Sequence, residues 1–280
     1  MKSSNARLFW GRAAHGLKVL FVCLFALVSL YPFVWVLLSS LKDNAQIYAS
    51  PFGLPGVFHW ENYADAWDKA SVGTGFGNSM FICVLALILL IALTSMGSYV
   101  LARIRKSRFL SLYFSLGLMI PIHALLIPTL ILYKQLRLTD NPLGLVLVYA
   151  AVNVPISMFI INGFMESIPR ELDEAATIDG CGRAGIFFRV VLPVAMPGVA
   201  TVATLSFLNI WNDLVFGLVL ISTPARRTLA VCVSVLKGSY ATQYGLLCAG
   251  LAVSILPVIA MYLLFQKQIV QGMTAGAVKG

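Results

Sequence analysis

Long apolar runs alternate with shorter polar segments along the chain. The runs extend from Leu17 to Leu41, Phe76 to Ala102, Phe109 to Tyr133, Leu143 to Phe164, Met196 to Ile221 and Tyr244 to Phe265. Each supplies the roughly 20 apolar residues that a helix rising ~1.5 Å per residue needs to cross ~30 Å of hydrocarbon. Helices are required because every backbone N–H and C=O must find its partner inside the lipid. A β-barrel would instead show alternating segments of about ten residues. The pattern predicts an all-α, polytopic membrane protein with six transmembrane helices. Pro32, Pro121, Pro128, Pro155 and Pro257 fall inside the runs, where neighbouring helices can satisfy the freed carbonyls at the expense of a kink.

Lys2, Arg7, Arg12 and Lys18 flank the start of the first run as in a signal peptide. The run is longer than the ~7–15 residues of a signal-peptide core and no A-x-A site follows, so it reads as a retained first span. The chain then divides into an N-terminal segment 1–16, a membrane domain 17–265 interrupted by a polar loop 166–195, and a tail 266–280. Two further polar segments run from Lys42 to Gly75 and from Ser222 to Gln243. The aromatics of the former, Trp60, Tyr63 and Trp67, read as interfacial anchors.

Composition sharpens this picture. Hydrophobic residues make up 59% of the chain and charged residues 11%, against about 25% charged in soluble domains; the mean hydropathy is +0.88. The net charge of +9 follows from topology. With both termini cytoplasmic, inner segments carry about twice as many Lys and Arg as outer ones, and the short loop Arg103-Ile-Arg-Lys-Ser-Arg108 holds the densest cluster. Nucleic-acid binding is not needed to explain the charge.

Catalytic signatures are missing from the sequence. The dipeptide Gly-Lys does not occur, so there is no phosphate-cradling Walker A loop, and no G-x-S-x-G is present. Gly180-Cys-Gly182-Arg-Ala-Gly185 matches the dinucleotide fingerprint G-x-G-x-x-G. It follows a polar helical segment instead of a buried strand, and its glycines read as a turn. Cys23, Cys83, Cys181, Cys232 and Cys248 form no C-x-x-C, and His15, His59 and His123 are scattered, so no metal site is expected.

The loop 166–195 begins like a helix. Ser167 is placed to cap it, Pro169 suits its first turn, and Glu171, Asp173 and Glu174 match the positive end of the helix dipole. Leu172, Ala175, Ala176 and Ile178 form an apolar stripe; Gly180 ends the helix. A second helical stretch, through Ile186-Phe-Phe-Arg-Val-Val, stops at Pro193. Such a helix lies against its own bundle or the membrane, or docks another protein.

The sequence Glu174-Ala-Ala-x-x-x-Gly180, followed after nine residues by Val190-x-Leu192-Pro193, resembles the EAA loop of ABC importer permeases, with Val190 in place of the usual Ile. Asn78-Ser79, Tyr99-x-x-Ala102-Arg103, Trp211-Asn212-Asp213 and the tail Gly272-Met-Thr-Ala-Gly276-Ala-Val-Lys-Gly280 extend the likeness over nearly the whole chain. Together they resemble the maltose-type carbohydrate importers, in particular the MalG-like member of a two-permease pair. The resemblance implies a non-catalytic permease subunit in a bacterial or archaeal inner membrane. Its partners would be a second permease, two ATPase subunits that bind ATP and Mg, and an extracytoplasmic solute-binding protein; this chain itself would hold no cofactor. Glu174, Ala175, Ala176, Gly180, Leu192 and Pro193 would couple it to the ATPase. The loop Ser222 to Gln243 would reach the binding protein, the tail would reach the ATPases, and the sugar would be contacted mainly by the other permease.

Ionisable residues inside spans are functional candidates by default. Asp213 lies toward the outer end of the fifth span with Asn209 and Asn212 close by, and Tyr149, Asn153 and Asn162 are weaker cases. They face either the translocation path and partner permease, or one another as helix–helix hydrogen bonds. An ion-driven secondary transporter would need mid-membrane coupling carboxylates, of which the spans are almost empty. A membrane scaffold recruiting a soluble protein would explain the loop but not the polar fifth span.

Overall fold

The structure, a computed structural model, describes residues 2–237 and 242–277, with side chains for 15–237 and 242–267. The chain is helical, with no strand among the described residues. In order come α1 (Lys2–Ser39), α2 (Asn44–Ala49), α3 (Glu61–Asp68), α4 (Val72–Tyr99), α5 (Arg108–Gly117), α6 (Leu126–Gln135), α7 (Pro142–Ser167), α8 (Glu171–Ile178), α9 (Arg183–Ile186), α10 (Leu192–Val194), α11 (Met196–Trp211), α12 (Val215–Leu220), α13 (Leu229–Val235) and α14 (Tyr244–Ala277). Among the described residues, four helical stretches are long and apolar enough to cross a membrane: His15–Ser39, Val72–Ile104, Pro142–Ser167 and Tyr244–Lys267. Two bent pairs bring the number to as many as six.

The third expected span is not one straight helix. Arg108–Gly117 and Ile122–Gln135 meet at 90°. The residue before a proline avoids helical backbone, and Pro121 itself is extended, with ψ 122°. The fifth expected span is also divided. A 71° bend from the Arg183–Val194 segment into Met196–Trp211 marks its start, and the span itself breaks before α12. Pro193 does not stop the preceding helix: a π-helical stretch, Phe187–Val191, passes into α10, and the turn comes at Ala195.

The chain forms two compact units. In the first, Met1–Lys69 with Leu236–Val253, the C-terminal turns of α1 carry Trp35, whose Nε1 donates to Pro51 O at 2.9 Å. Upstream, the apolar side chains of α1 from Leu17 to Val28 are largely exposed, as a helix facing lipid or another chain requires. Asp43 caps α2 by accepting from Gln46 N at 2.8 Å. Lys42 is only 1% exposed; its ammonium donates to Ser50 O at 2.9 Å and Gly53 O at 2.6 Å, so backbone carbonyls compensate its burial and fold the 50–53 turn over it. Tyr63 bonds Ser40 through its hydroxyl, while Trp60 and Trp67 stay exposed.

In the second unit, Ala70–Val235 with Ser254–Gly280, α4 packs along α7. Small and apolar residues are buried along both helices: Leu90 on α4 with Ala150 and Ile161 on α7 share one core, and Ser98 Oγ reaches Met158 Sδ at 3.5 Å. Small residues let helix backbones approach closely where lipid provides no hydrophobic drive for helix pairing. Hydroxyls inside the helices bond back to the preceding turn, as in Thr94 to Leu90 O at 2.7 Å and Ser157 to Asn153 O at 2.7 Å. Asn141 caps α7 by accepting from Leu143 N, with Pro142 in the first turn.

Candidate coupling loop and membrane polar cluster

The loop after α7 folds into α8, α9 and the π-helical stretch, seated on a continuous core. Tyr99, Ala102, Met165, Ile168, Ala176, Ile186, Phe187, Val191 and Val199 are all buried together. Ser167 does not cap α8. α7 runs through Ser167, whose hydroxyl donates to Phe164 O at 2.7 Å, and the cap position of α8 is Arg170, which makes no side-chain cap bond. The end of α8 behaves as expected and in more detail. Gly180 has φ +82°, its N–H donates to Thr177 O at 3.0 Å, and Cys181 N–H donates to Ala176 O at 2.9 Å. This pair of bonds is the Schellman closure, and its left-handed residue favours glycine.

α8 buries Ala176 and exposes Glu171, Glu174 and Ala175; Ile178 is 87% exposed. A carboxylate beside bare apolar side chains on a seated helix is a surface suited to a protein partner. Leu192 packs against the core and Pro193 is exposed. Arg103, read from sequence as a topological charge and as the end of the Tyr99-x-x-Ala102-Arg103 motif, and Asp173, read as a dipole-compensating acid, lie 3.6 Å apart here, and the Arg103 side chain is 4% exposed. Two residues on different helices left no signal in linear spacing.

A second constellation forms where α11 breaks. Asp213 Oδ1 accepts from Phe216 N at 3.0 Å and Gly217 N at 3.4 Å, capping α12. The same oxygen accepts from Tyr149 Oη at 2.7 Å. Asn153 Nδ2 donates to Tyr149 O at 2.8 Å, and its Oδ1 accepts from Asn209 Nδ2 at 3.3 Å. Tyr149 and Asn153 are buried, whereas Asn209 and Asn212 are exposed. Four of the six predicted residues are therefore linked, and Asn212 is exposed at the break itself. Asn162 lies apart, with its amide donating to Glu166 Oε1 at 3.1 Å in a cleft of about 440 Å³ between α5 and α7. Trp211 Nε1 donates to Ser254 O at 3.0 Å, fixing the end of α11 to α14. No group of His, Cys, Asp or Glu able to hold a metal ion forms among the described residues.

The base of the 222–243 segment is held by Asp140, a residue not singled out from sequence. Its carboxylate accepts from Thr223 Oγ1 at 2.6 Å, Thr223 N at 2.9 Å and Ser222 N at 3.1 Å, and pairs with Arg226 at 3.1 Å. The Thr223 hydroxyl and N–H, followed by Ser222 N–H and the Arg226 charge, hold its pKa down at about 2. On the other flank, Asn78 Nδ2 donates to Ala225 O at 3.0 Å and Arg227 O at 2.9 Å, and Leu229 N donates to Ser79 Oγ at 2.8 Å. Residues 238–241 of this segment, and within the tail residues 278–280 and the side chains from 268 onward, lie outside the described residues.

Comparison with known proteins matches these features as a set. Residues 95–275, which include α8, the polar cluster and most of α14, match the family described as binding-protein-dependent transport system inner membrane component. The diacetylchitobiose uptake system permease protein of Streptomyces coelicolor is 37% identical over 257 residues, covering 90% of this chain and 85% of the relative. The sulfoquinovosyl glycerol transport system permease protein of Agrobacterium fabrum is 34% identical over 255 residues, covering 90% and 89%. A bacterial ABC transporter chain involved in import of the acidic polysaccharide alginate has the same fold, with a TM-score of 0.78 at 24% identity over 91% of this chain and 96% of that one. A seated, carboxylate-bearing loop helix, apolar spans without a phosphate loop and this likeness over nine-tenths of the chain lead to one conclusion: the chain belongs to the binding-protein-dependent transport inner membrane component family and is a non-catalytic permease subunit of an ABC importer.

Proposed function

We propose that this chain forms half of the path by which a carbohydrate, in particular an oligosaccharide, crosses a bacterial or archaeal inner membrane. In this reading the bent pair Arg108–Gly117 and Ile122–Gln135 is one span and α11 with α12 another, giving six around a cytoplasmic loop 166–195, and both termini are cytoplasmic, as the basic residues near Arg103–Arg108 favour. The cargo class is supported by the relatives: diacetylchitobiose, sulfoquinovosyl glycerol and alginate are all built from sugars. A second permease completes the path, and an extracytoplasmic solute-binding protein delivers cargo to the side where Asp140 anchors the 222–243 segment.

The observation that carries the reading is the surface of α8. Glu174, Ala175 and Ile178 stand exposed on a helix whose other face is buried in the core of the spans. A chain that lacks a phosphate loop receives work only by contact, and this helix is rigid enough to transmit it. Glu174 and Ala175 dock on an ATP-binding subunit, one of two that hold ATP and Mg. Ala176, Gly180, Leu192 and Pro193 keep the docking helix in shape. Asn209 and Asn212 face the path or the partner permease, presented by the break that Asp213, Tyr149 and Asn153 stabilise.

Reconstitution in proteoliposomes tests the reading. Uptake of a labelled oligosaccharide is expected only when the second permease, the ATP-binding subunits, the binding protein and ATP are all present. Uptake by this subunit alone, driven by an ion gradient, would overturn it.

A further inference from the structure

The inner end of α4 grips α8 from both sides. Beyond Tyr99 the helix widens into a π-helical stretch, Val100–Ile104, closed by Arg105 N donating to Val100 O at 2.8 Å. Such stretches mark functional sites because they re-aim side chains. Arg103 Nη2 donates to Ile168 O at 2.7 Å, where the backbone is extended between α7 and α8. In return Arg170 Nη2 reaches Ala102 O at 3.5 Å. On the far side of α8, Tyr99 Oη donates to Arg183 O at 3.1 Å, and its ring lies 5.1 Å from that of Phe187. α8 is thus held to α4 before its first turn and after its last.

The ion pair within this grip is incomplete. Arg103 Nη1 is 3.6 Å from Asp173 Oδ2, beyond hydrogen-bond reach. Arg103 Nε and Asp173 Oδ1 are both buried with no hydrogen-bond partner among the described residues. A buried carboxylate oxygen left without a donor beside a guanidinium disfavours this arrangement relative to one that supplies the bond. Closing the gap lets Nη1 donate to Oδ2 while Nη2, which keeps one hydrogen on Ile168 O, gives its other to Oδ1, so the contact becomes the two-bond end-on Arg–carboxylate fork. Asp173 sits in the first turn of α8, next to the exposed Glu174, so a small displacement of α8 changes this distance directly.

We propose that Arg103 and Asp173 are positioning residues that carry the motion of α8 into α4. They form a two-position ion pair, loose in the state seen here and fork-paired when α8 shifts during the transport cycle. The proposal rests on the reading of α8 as the ATPase-docking helix. It adds that the work passes into the second span through this pair, and not only through the covalent connections of α8 to α7 and α9. A lysine in place of Arg103 keeps the charge but cannot make the fork.

The test uses the full complex in proteoliposomes and reads solute taken up per ATP hydrolysed, normalised to assembled complex. Asp173→Asn and Arg103→Lys are expected to lower this ratio by about tenfold, the scale of coupling free energies between sites, with ATP hydrolysis maintained. The exchange Arg103→Asp with Asp173→Arg is expected to recover part of the loss. Tyr99→Phe, which keeps the ring against Phe187 and removes only the bond to Arg183, is the mildest variant and should lower the ratio by about twofold. Reduced assembly with an unchanged ratio in the complexes that remain would overturn the proposal, because a purely structural contact behaves that way. Glu174→Ala serves as the reference. If it uncouples while the Arg103, Asp173 and Tyr99 variants do not, this proposal fails alone; if Glu174→Ala also keeps the ratio, the docking reading fails with it.

Discussion

Replacement of Gly180 isolates a backbone requirement from a steric one. A Cβ built at Gly180 would meet nothing within 4 Å, yet its φ is +82°. The penalty for a larger residue within this chain is therefore conformational. An L-residue in the left-handed region costs roughly 1–2 kcal/mol. Replacing glycine also recovers about 0.4–1 kcal/mol from the unfolded chain. The net for Gly180→Ala is about 1 kcal/mol against the Schellman turn, a factor of roughly five in its population. Asparagine tolerates this region better than other residues, and a β-branched residue tolerates it least. The expected order of loss is therefore Asn, then Ala, then Val. Two assays read it: thermal unfolding of the purified subunit, and ATP-driven uptake by the assembled complex. Equal behaviour of all three variants would refute the conformational argument. A loss that tracks side-chain volume in the complex but not in the isolated subunit would show that the constraint comes from the docked ATPase.

Other consequences follow from the same geometry. Tyr149→Phe removes a charge-assisted hydrogen bond to Asp213, of a kind worth about 1.5–3 kcal/mol, while Asp213→Ala also strips the cap from α12. Thermal unfolding should therefore rank Asp213→Ala below Tyr149→Phe, and the reverse order would contradict the capping role. The Asp140 carboxylate has its pKa lowered from 3.8 to about 2. A group depressed on folding contributes stability above its unfolded value and loses it as the pH falls through the folded one. The anchor of the 222–243 segment is therefore intact at neutral pH and weakens only between about pH 4 and pH 2. In Asp140→Asn this part of the acid dependence should vanish, which proteolysis of the segment across that range can follow; an unaltered profile would show that Asp140 is not the anchor.

The positions of the spans were readable because apolar runs record burial in lipid whatever their neighbours do. Their shape was not. A run from Phe109 to Tyr133 looks continuous in hydropathy, but the 90° bend after Gly117 depends on direction, which composition does not encode. Gly117 offers one trace of it in hindsight: a Cβ there would lie 2.7 Å from Pro155 Cγ, so the bent helix is pressed onto α7. The break at Asp213 was visible only as a lone acid in an apolar run, and its cause, capping of α12, needed coordinates. Pro193 suggested a stop, yet a proline in a first turn has no N–H to lose, and the preceding π-helical stretch carries the chain through. The helix and turn of the loop 166–195 were legible because their chemistry is local: acids in one turn, small residues in the next and a glycine at the end. The pairing of Arg103 with Asp173 was not, since a basic cluster already had a sufficient explanation in topology. Asp140 likewise acts on residues more than eighty positions away.

The central claim is that energy enters this subunit through the exposed face of α8. The most direct measurement is solute uptake per ATP hydrolysed for Glu174→Ala in the reconstituted complex, with the wild-type complex beside it. The account predicts a subunit that inserts and folds normally, because Glu174 contributes nothing to the buried core, but whose uptake falls well below the rate of ATP consumption or whose ATPase no longer assembles. Wild-type uptake at the wild-type ratio would contradict it.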